Sequence, residues 1–432
     1  MSAKQQRNLD KKQQNKSNNT VTRAHKIRLH LTMKQKEVMR KWEGVNRHVY
    51  NKAVSYVKES RPKFDMELKK TLRKKFITAT YYMRQCSNCE FSQNSKQQNF
   101  TCFHCKEDQC VEEFQKETNP DIQDWETAVP KDIRDRTLDD FYDGINSSLA
   151  SLTNGTIKQF EMRFRSKSGK AKSIEISYTD IHVTEDNNYQ FFKNIKELEM
   201  INTRGLAVKP DADARIVRSG PHYFLHFETK IPVNTETHSD KTDRKIIALD
   251  PGVRKFITGF SETEVVAFHR DEKLMKKLYD KIDNLKSLRD QQWIRNPRRS
   301  LWRKEVRIRN IVTDLHRKTA NYLCTKYTDI LIPLFETKQM MQFLHPSTAR
   351  LMGTLSHFTF RNRLIETAEK HQNCLVYVVN EAFTTRTCTN TNCGRLNPKN
   401  GAEMLTCRYC NLTMDRDIRG SRNIFLKHVT VE

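Results

Sequence analysis

The run Lys245-Ile246-Ile247-Ala248-Leu249-Asp250-Pro251-Gly252-Val253-Arg254-Lys255-Phe256-Ile257-Thr258-Gly259-Phe260 decides how the rest of the chain is read. Residues 246–249 are apolar and form an expected buried strand that runs straight into Asp250. Pro251 and Gly252 break that strand, residues 255–260 read as its return, and 264–269 read as a third extended run after a polar turn. The expectation is a meander with a carboxylate at its first bend. Such an acid is fixed by a rigid strand yet reaches the rim of the sheet, where a divalent cation needs a ligand. An aspartate before Pro-Gly is also an ordinary turn residue, so Asp250 by itself decides nothing.

The chain has 432 residues, enough for two or three domains. It contains no run of 18 apolar residues, and its N-terminus is polar, so neither a membrane span nor a secretory signal is expected. Lys plus Arg number 77 against 52 Asp plus Glu, a net charge of +25 that calls for a polyanionic partner, above all nucleic acid. A protein made basic for assembly into a ribosome or chromatin has the same composition. Of the 11 cysteines, eight fall into four close pairs, and Cys110, Cys324 and Cys374 stand alone. Close pairs in a chain without a secretory signal point to metal rather than disulfides.

Residues 1–24 read as a disordered basic arm. A strand is expected at 25–31. Thr32 then caps a helix, with Gln35 completing a capping box. Val38, Trp42, Val45, Val49 and Val54 keep helical spacing, while Arg47 lies on a basic face suited to phosphates. Residues 58–130 read as a separate helical, metal-bearing insert. In it Cys86-x2-Cys89 and Cys102-x2-Cys105, twelve residues apart, put four thiolates within reach of a Zn²⁺, with Cys110 as a replacement ligand. Four thiolates leave no open position, so that zinc would be structural. A helix is expected over 131–163 and a basic hairpin tip over 164–172. Strand-like runs at 173–178, 190–192 and 223–233 suggest a β-barrel with the first strand, and 234–243 reads as a linker. Beyond the meander, helices are expected near 274–288, 300–327 and 346–371, with buried strands at 329–333 and 375–379. Arg163, Arg165, Lys167, Arg303, Arg307 and Arg422 join Arg47 as expected nucleic-acid contacts.

The last strand ends in Asn380-Glu381. Cys388-x4-Cys393 and Cys407-x2-Cys410 follow, separated by thirteen residues, the spacing of a zinc ribbon. Directly after it stand Asp415-Arg416-Asp417, and Asp417 is placed to open a final helix. Asp250, Glu381 and Asp417 thus occupy strand ends and a helix start. Parallel strands gather their carboxyl ends, so the three could converge as ligands for two Mg²⁺ ions of the kind that support phosphodiester cleavage.

These residues resemble a known family. The Asp-Pro-Gly meander, the ribbon and the Asp415-Arg416-Asp417…Arg422-Asn423-Ile424 ending are similar to the split RuvC nuclease of TnpB proteins, relatives of the type V CRISPR nucleases. The start Ile27-Arg28-Leu29…Thr32…Gln35…Gly44…Arg47…Tyr50-Asn51 also resembles TnpB. In TnpB a middle catalytic Glu ends the strand that here reads Ile330-Leu331-Ile332-Pro333. Here Glu381 appears 48 residues later, and that displacement, with Arg419-Gly420-Ser421, is similar to the Fanzor proteins, eukaryotic and viral relatives of TnpB. Glu336 is the competing candidate for the middle acid.

The resemblance implies an α/β multidomain fold: an RNase H-like (RuvC) nuclease domain with an inserted zinc ribbon, a wedge-like N-terminal β-barrel and a helical recognition lobe. The implied domains are a tail at 1–24, the barrel at 25–34 and 164–240, and the recognition domain at 35–163 with its insert at 86–105. The nuclease covers 241–385 and 413–432, and a target nucleic-acid-binding ribbon covers 386–412. The implied activity is RNA-guided DNA cleavage by a mobile-element nuclease, acting in a eukaryotic nucleus as a monomeric ribonucleoprotein. Its partners are a guide (omega) RNA and double-stranded DNA with a short flanking motif, and its cofactors are two Mg²⁺ and one or two Zn²⁺. An RNA-independent RuvC-like nuclease or transposase accessory, and a catalytically silent nucleic-acid binder, are the alternatives.

Overall fold

The computed structural model describes residues 20–85, 89, 92–94, 104–106, 114–167, 172–202, 207–233, 244–291, 298–335, 337–398 and 401–429. They fall into two compact units that divide between Lys230 and Ile231.

The first unit opens with β1 (Thr20–His30) and α1 (Met33–Ser60). The capping box forms as expected: the Gln35 N–H donates to Thr32 Oγ1 at 3.2 Å, and the Thr32 N–H donates to Gln35 Oε1 at 2.9 Å. Then come α2 (Met66–Phe76), β2 (Thr80–Gln85), β3 (Ser92–Asn94), β4 (Phe114–Thr118), α3 (Asp124–Thr127) and α4 (Lys131–Thr153). Strands β5 (Lys172–Ile176), β6 (Ile181–Val183), β7 (Tyr189–Phe191), β8 (Glu199–Asn202), β9 (Ala214–Ser219) and β10 (His222–Pro232) complete it. β1 and β5–β10 form a seven-stranded sheet in the order β5-β9-β10-β1-β8-β7-β6, with β5 and β6 at its edges. Helices and sheet share one apolar core: Trp42 and Val49 of α1, Leu72 of α2 and Phe141 of α4 pack with Ile27, Ile216 and Leu225. α2 therefore belongs to this core and not to a separate insert.

The expected helix over 131–163 stops at Thr153. Asn154 and Gly155 (φ 69) turn the chain there, a stop signal that the apolar stripe had outweighed. β2, β3 and β4 make a small antiparallel sheet of their own. Cys89 and Cys105 are half-buried, but Cys86, Cys102 and Cys110 lie outside the described residues, and so does the expected second zinc set. The linker at 234–243, residues 1–19 of the expected 1–24 arm and residues 168–171 of the hairpin tip also lie outside them, while residues 20–24 of that arm belong to β1.

The second unit runs β11 (Ile246–Pro251), β12 (Ile257–Phe260), β13 (Val265–Phe268), α5 (Glu272–Asp290), α6 (Arg298–Lys326) and β14 (Asp329–Pro333). It continues with α7 (Thr337–Met341), α8 (Pro346–Leu355), α9 (His357–Ala368) and β15 (Leu375–Val379), and ends with β16 (Met404–Thr406), β17 (Thr413–Asp415) and α10 (Arg416–Val429). Its sheet has the order β13-β12-β11-β14-β15. The first three strands are the expected antiparallel meander, and β11, β14 and β15 run parallel.

Alternation along β11 sorts its side chains between two faces. Ile247 and Leu249 pack with Ile330, Ile332, Leu323 and Phe360 under α6 and α9. Ala248 packs on the other face with Leu331 and with Ile424 and Phe425 of α10. Asp250 is two residues beyond Ala248 and so shares the α10 face. Asp329, buried at the start of β14, is satisfied by Arg244 (3.1 Å) and by the Thr328 hydroxyl (2.7 Å).

Two expectations change here. The helix over 346–371 is two helices, broken at Ser356 in the left-handed region (φ 48) with no glycine or proline at the break itself. The 375–379 strand lies at the sheet edge, with Leu375, Tyr377 and Val378 exposed, because an apolar run does not distinguish an edge strand from a central one. No helix among the described residues is long and apolar enough to cross a membrane.

Candidate active site

Asp250, Glu381 and Asp417 line one open cleft at the carboxyl end of the parallel strands. β11 carries Asp250 outward, with Asp250 opposite Thr258 in the antiparallel register. The chain can turn beyond it because Gly252 has no Cβ; a Cβ there would lie 2.7 Å from the Lys255 carbonyl oxygen. Glu381 stands two residues past the end of β15, in a turn closed by the Thr384 N–H and hydroxyl, both donating to its carbonyl (3.2 and 2.8 Å).

Asp417 lies in the first turn of α10. That turn is aimed by Asp415, whose Oδ1 accepts the N–H groups of Asp417 (2.9 Å) and Ile418 (3.1 Å). Lys255 reaches back from the meander to the other oxygen of Asp415 at 2.7 Å. Burial pushes the Asp415 carboxyl up, but Lys255 and the two N–H groups outweigh it, so Asp415 sits below the usual range and stays charged. Asp415 is the residue that sequence reasoning passed over. Its signal is an acid just ahead of an expected helix start.

Electrostatics set Asp250 apart from Asp415. The Asp250 carboxyl is raised well above its ordinary value, first by burial and then by Asp417 and Glu381, against the opposing charge of Arg416. Burial raises Glu381 as well. Clustered carboxylates that resist ionisation either keep a proton or gain a cation, and a divalent ion supplies that charge most compactly. The backbone of α10 comes close enough that a Cβ at Gly420 would collide with the Asp250 carboxylate. The three acids do not converge on a single point. Among the described residues, only the ribbon cysteines bring three or more metal-type ligand atoms within 4.8 Å of one another.

Those cysteines meet as the spacing implied. Cys388 Sγ lies 3.5 Å from Cys410 Sγ, and Cys393 Sγ lies 3.8 Å from Cys407 Sγ. Zinc–sulfur bonds of about 2.3 Å in a tetrahedron require sulfur separations of about 3.8 Å, so the thiols fit a zinc ion. Burial opposes ionisation of Cys407, yet the backbone N–H groups of Tyr409 and Cys410, the Asn397 side chain and Cys388 bring it down to about 6. The buried Arg419 ties the ribbon to α10 by donating to the carbonyl oxygens of Leu405 (2.6 Å) and Leu412 (3.4 Å). Glu336, the competing middle acid, lies outside the described residues.

The expected nucleic-acid contacts sit elsewhere. Arg303 and Arg307 are exposed on α6, and Arg422 packs over the Phe260 ring at 5.7 Å; none of the three lines the cleft. In the first unit Arg163 and Lys167 are exposed and Arg47 is half-buried. Arg165 is already engaged, 2.5 Å from Asp140 and stacked 3.7 Å over the Tyr50 ring. The arginines that do line the cleft include Arg254, Arg386, Arg408 and Arg416.

Two family models match the chain. The Cas12f1-like TNB domain covers residues 357–424, which include Glu381, Asp417 and all four ribbon cysteines. The helix-turn-helix domain of the OrfB IS605 type covers residues 19–63, the span of β1 and α1. A protein of Paramecium bursaria Chlorella virus 1 that bears a transposase name is 26% identical over 425 residues, covering 95% of this chain and 88% of its own. A TnpB-like protein of Acanthamoeba polyphaga mimivirus is 24% identical over 438 residues, covering 98% and 76%. Among solved structures, a Cas12f1 complex with guide RNA and target DNA aligns over 94% of this chain and 98% of its own, at 12% identity and a TM-score of 0.33. Models of this kind thus match a stretch near each end of the chain, and nearly its whole length is similar to viral TnpB-like and transposase-named proteins.

Proposed function

We propose that the chain is an RNA-guided DNA endonuclease of a mobile element. Its substrate is double-stranded DNA, chosen by pairing with a bound guide (omega) RNA next to a short flanking motif, and in a eukaryotic host it works in the nucleus. The observation that carries this reading is that Asp250, Glu381 and Asp417 line one cleft, with Asp250 pushed up first by burial and then by the charge of the other two. The sheet order, three antiparallel strands followed by two parallel ones with the acids at their ends, supports an RNase H-like (RuvC) nuclease.

Asp250, Glu381 and Asp417 would hold two Mg²⁺ ions, which supply Lewis-acid polarisation of the phosphate and activation of the attacking water. The spacing of the three acids is wider than that of the ribbon thiols and would leave open volume between them for metal and phosphate. The chain's own part is positioning. β11 and α10 fix two carboxylates from opposite sides, Lys255 and Asp415 aim the helix, and Arg416 is at hand for phosphate charge. Cys388, Cys393, Cys407 and Cys410 would hold a structural Zn²⁺ that joins Glu381 to Asp417 through a rigid lobe. The +25 charge suits a monomer wrapped on RNA.

Sequencing RNA that co-purifies with the full-length protein, and then programming cleavage of matched DNA in Mg²⁺, tests the proposal. RNA-free protein that cuts branched DNA would instead support an RNA-independent nuclease. RNA-bound protein inert on matched DNA would support a silent binder.

A further inference from the structure

Two phenylalanines in the cleft have no packing role that accounts for them. Phe343, in the turn between α7 and α8, is 88% exposed, and Phe383, two residues after Glu381, is 62% exposed; both line the cleft with the three acids. One exposed aromatic side chain needs no explanation. Phe383, however, also has φ 68, a backbone region that bulky residues avoid and that glycine enters freely. The surroundings enforce this conformation. The Phe383 carbonyl accepts the N–H groups of Arg386 and Thr387 (3.0 Å each) and the Thr387 hydroxyl (2.9 Å). Asn423 of α10 donates to the carbonyl oxygens of Thr384 (2.6 Å) and Thr387 (2.8 Å). A strained residue held in place by its neighbours beside reactive groups is a pointer to function. Arg254, Arg408 and Arg416 share the cleft, so aromatic faces are interleaved with positive charge. That is the chemistry of single-stranded nucleic-acid sites, where rings stack on bases and cations follow the phosphates.

We propose that Phe383 and Phe343 form a stacking platform for unpaired bases of a single DNA strand, flanking the phosphate that lies at Asp250, Glu381 and Asp417. The platform distorts the strand so that one phosphodiester is presented to the acids. It selects unpaired over paired DNA because only a splayed base offers its face.

This inference rests on the nuclease reading of the cleft, and the test separates the two. The full-length protein, with any RNA it carries, is titrated in Ca²⁺ with a short single-stranded oligodeoxynucleotide holding one 2-aminopurine between abasic positions. A fully abasic strand of the same length serves as the control. Wild-type protein is expected to shift the 2-aminopurine fluorescence and to prefer the base-bearing strand. Phe383→Ala and Phe383→Gly should weaken binding of that strand by roughly five- to hundredfold and bind the abasic strand as wild type does, while Phe383→Trp retains the preference. Glycine tolerates φ 68, so Phe383→Gly should keep or raise the melting temperature, which removes a folding defect as the explanation. Base-independent binding by wild type, an unchanged preference in Phe383→Gly, or a lowered melting temperature with the preference intact would overturn the platform. Mg²⁺-dependent cleavage without base-dependent binding sinks the platform alone. Base-dependent binding without cleavage sinks the nuclease reading alone.

Discussion

The ribbon and the acidic cleft are both sets of metal-type ligands in the same unit, but they are built differently. The four ribbon thiols already stand within 4.8 Å of one another, on one short stretch of chain closed by β16 and β17. The three carboxylates come from two strand ends and a helix, share a cleft, and stay wider apart. Thiols packed to tetrahedral spacing exclude a substrate, whereas spaced carboxylates around open volume leave room for one. On the function proposed above, ligand spacing is what separates a structural metal site from a working one.

The largest expected effect tests the working half of that contrast. Asp250→Asn should lower Mg²⁺-dependent DNA cleavage on the order of a thousandfold or more, about 4 kcal/mol of barrier, while RNA and DNA binding measured by gel shift stay near wild type. Lost binding would make Asp250 structural. Glu381→Gln should match it, and a Glu381→Gln protein that still cuts would transfer the middle role to Glu336.

Next comes the structural half. Cys407→Ser should remove one zinc per chain, read by elemental analysis, and lower the melting temperature of the second unit, because structural zinc contributes folding free energy directly. Cleavage should fall with it, since the ribbon lies between Glu381 and Asp417 in sequence and Arg419 joins it to α10. Zinc loss with normal cleavage would uncouple the two sites.

Gly420→Ala probes the approach between them. Its Cβ would fall on the Asp250 carboxylate, so the Mn²⁺ concentration needed for half-maximal cleavage should rise roughly ten- to hundredfold. The melting temperature should shift only by a few degrees, as for overpacking of about 1–3 kcal/mol. An unchanged metal requirement would show that α10 gives way.

The smallest effect is one of pH. Phe256 is stacked between His316 and His357, each 5.1 Å away between ring centres, and burial lowers both imidazoles to about 4. Folded-state values below the ordinary 6.5 favour the neutral form. Their contribution is therefore fully present above pH 6.5 and lost as pH falls from 6.5 toward about 4. Melting temperatures in metal-free buffer should decline across that window, and His357→Phe should flatten the decline.

Local signals were legible in proportion to how much their chemistry is local. Thr32 and Gln35 announced their capping box, and the cysteine spacing announced the ribbon. The apolar runs at 246–249, 329–333 and 375–379 announced three strands, though not that the last lies at an edge. Ser356 broke a helix although neither glycine nor proline stands at that position. Asp415 carried the local signal of a cap, an acid just ahead of an expected helix start, but its partner Lys255, 160 residues away in the chain, left no such sign.

What the amino-acid sequence determined alone was most of the long elements, the ribbon cysteines and the identity of the three acids as candidates. These follow from periodicity, turn chemistry and ligand spacing, all carried by neighbouring residues. Only the tertiary structure decided that β11, β14 and β15 lie side by side and parallel, that Asp250 shares the α10 face with Ala248, and that Gly420 lets the helix close on it. Such convergence depends on which faces bury which apolar surfaces across the whole unit, a many-body choice that no short stretch of chain encodes.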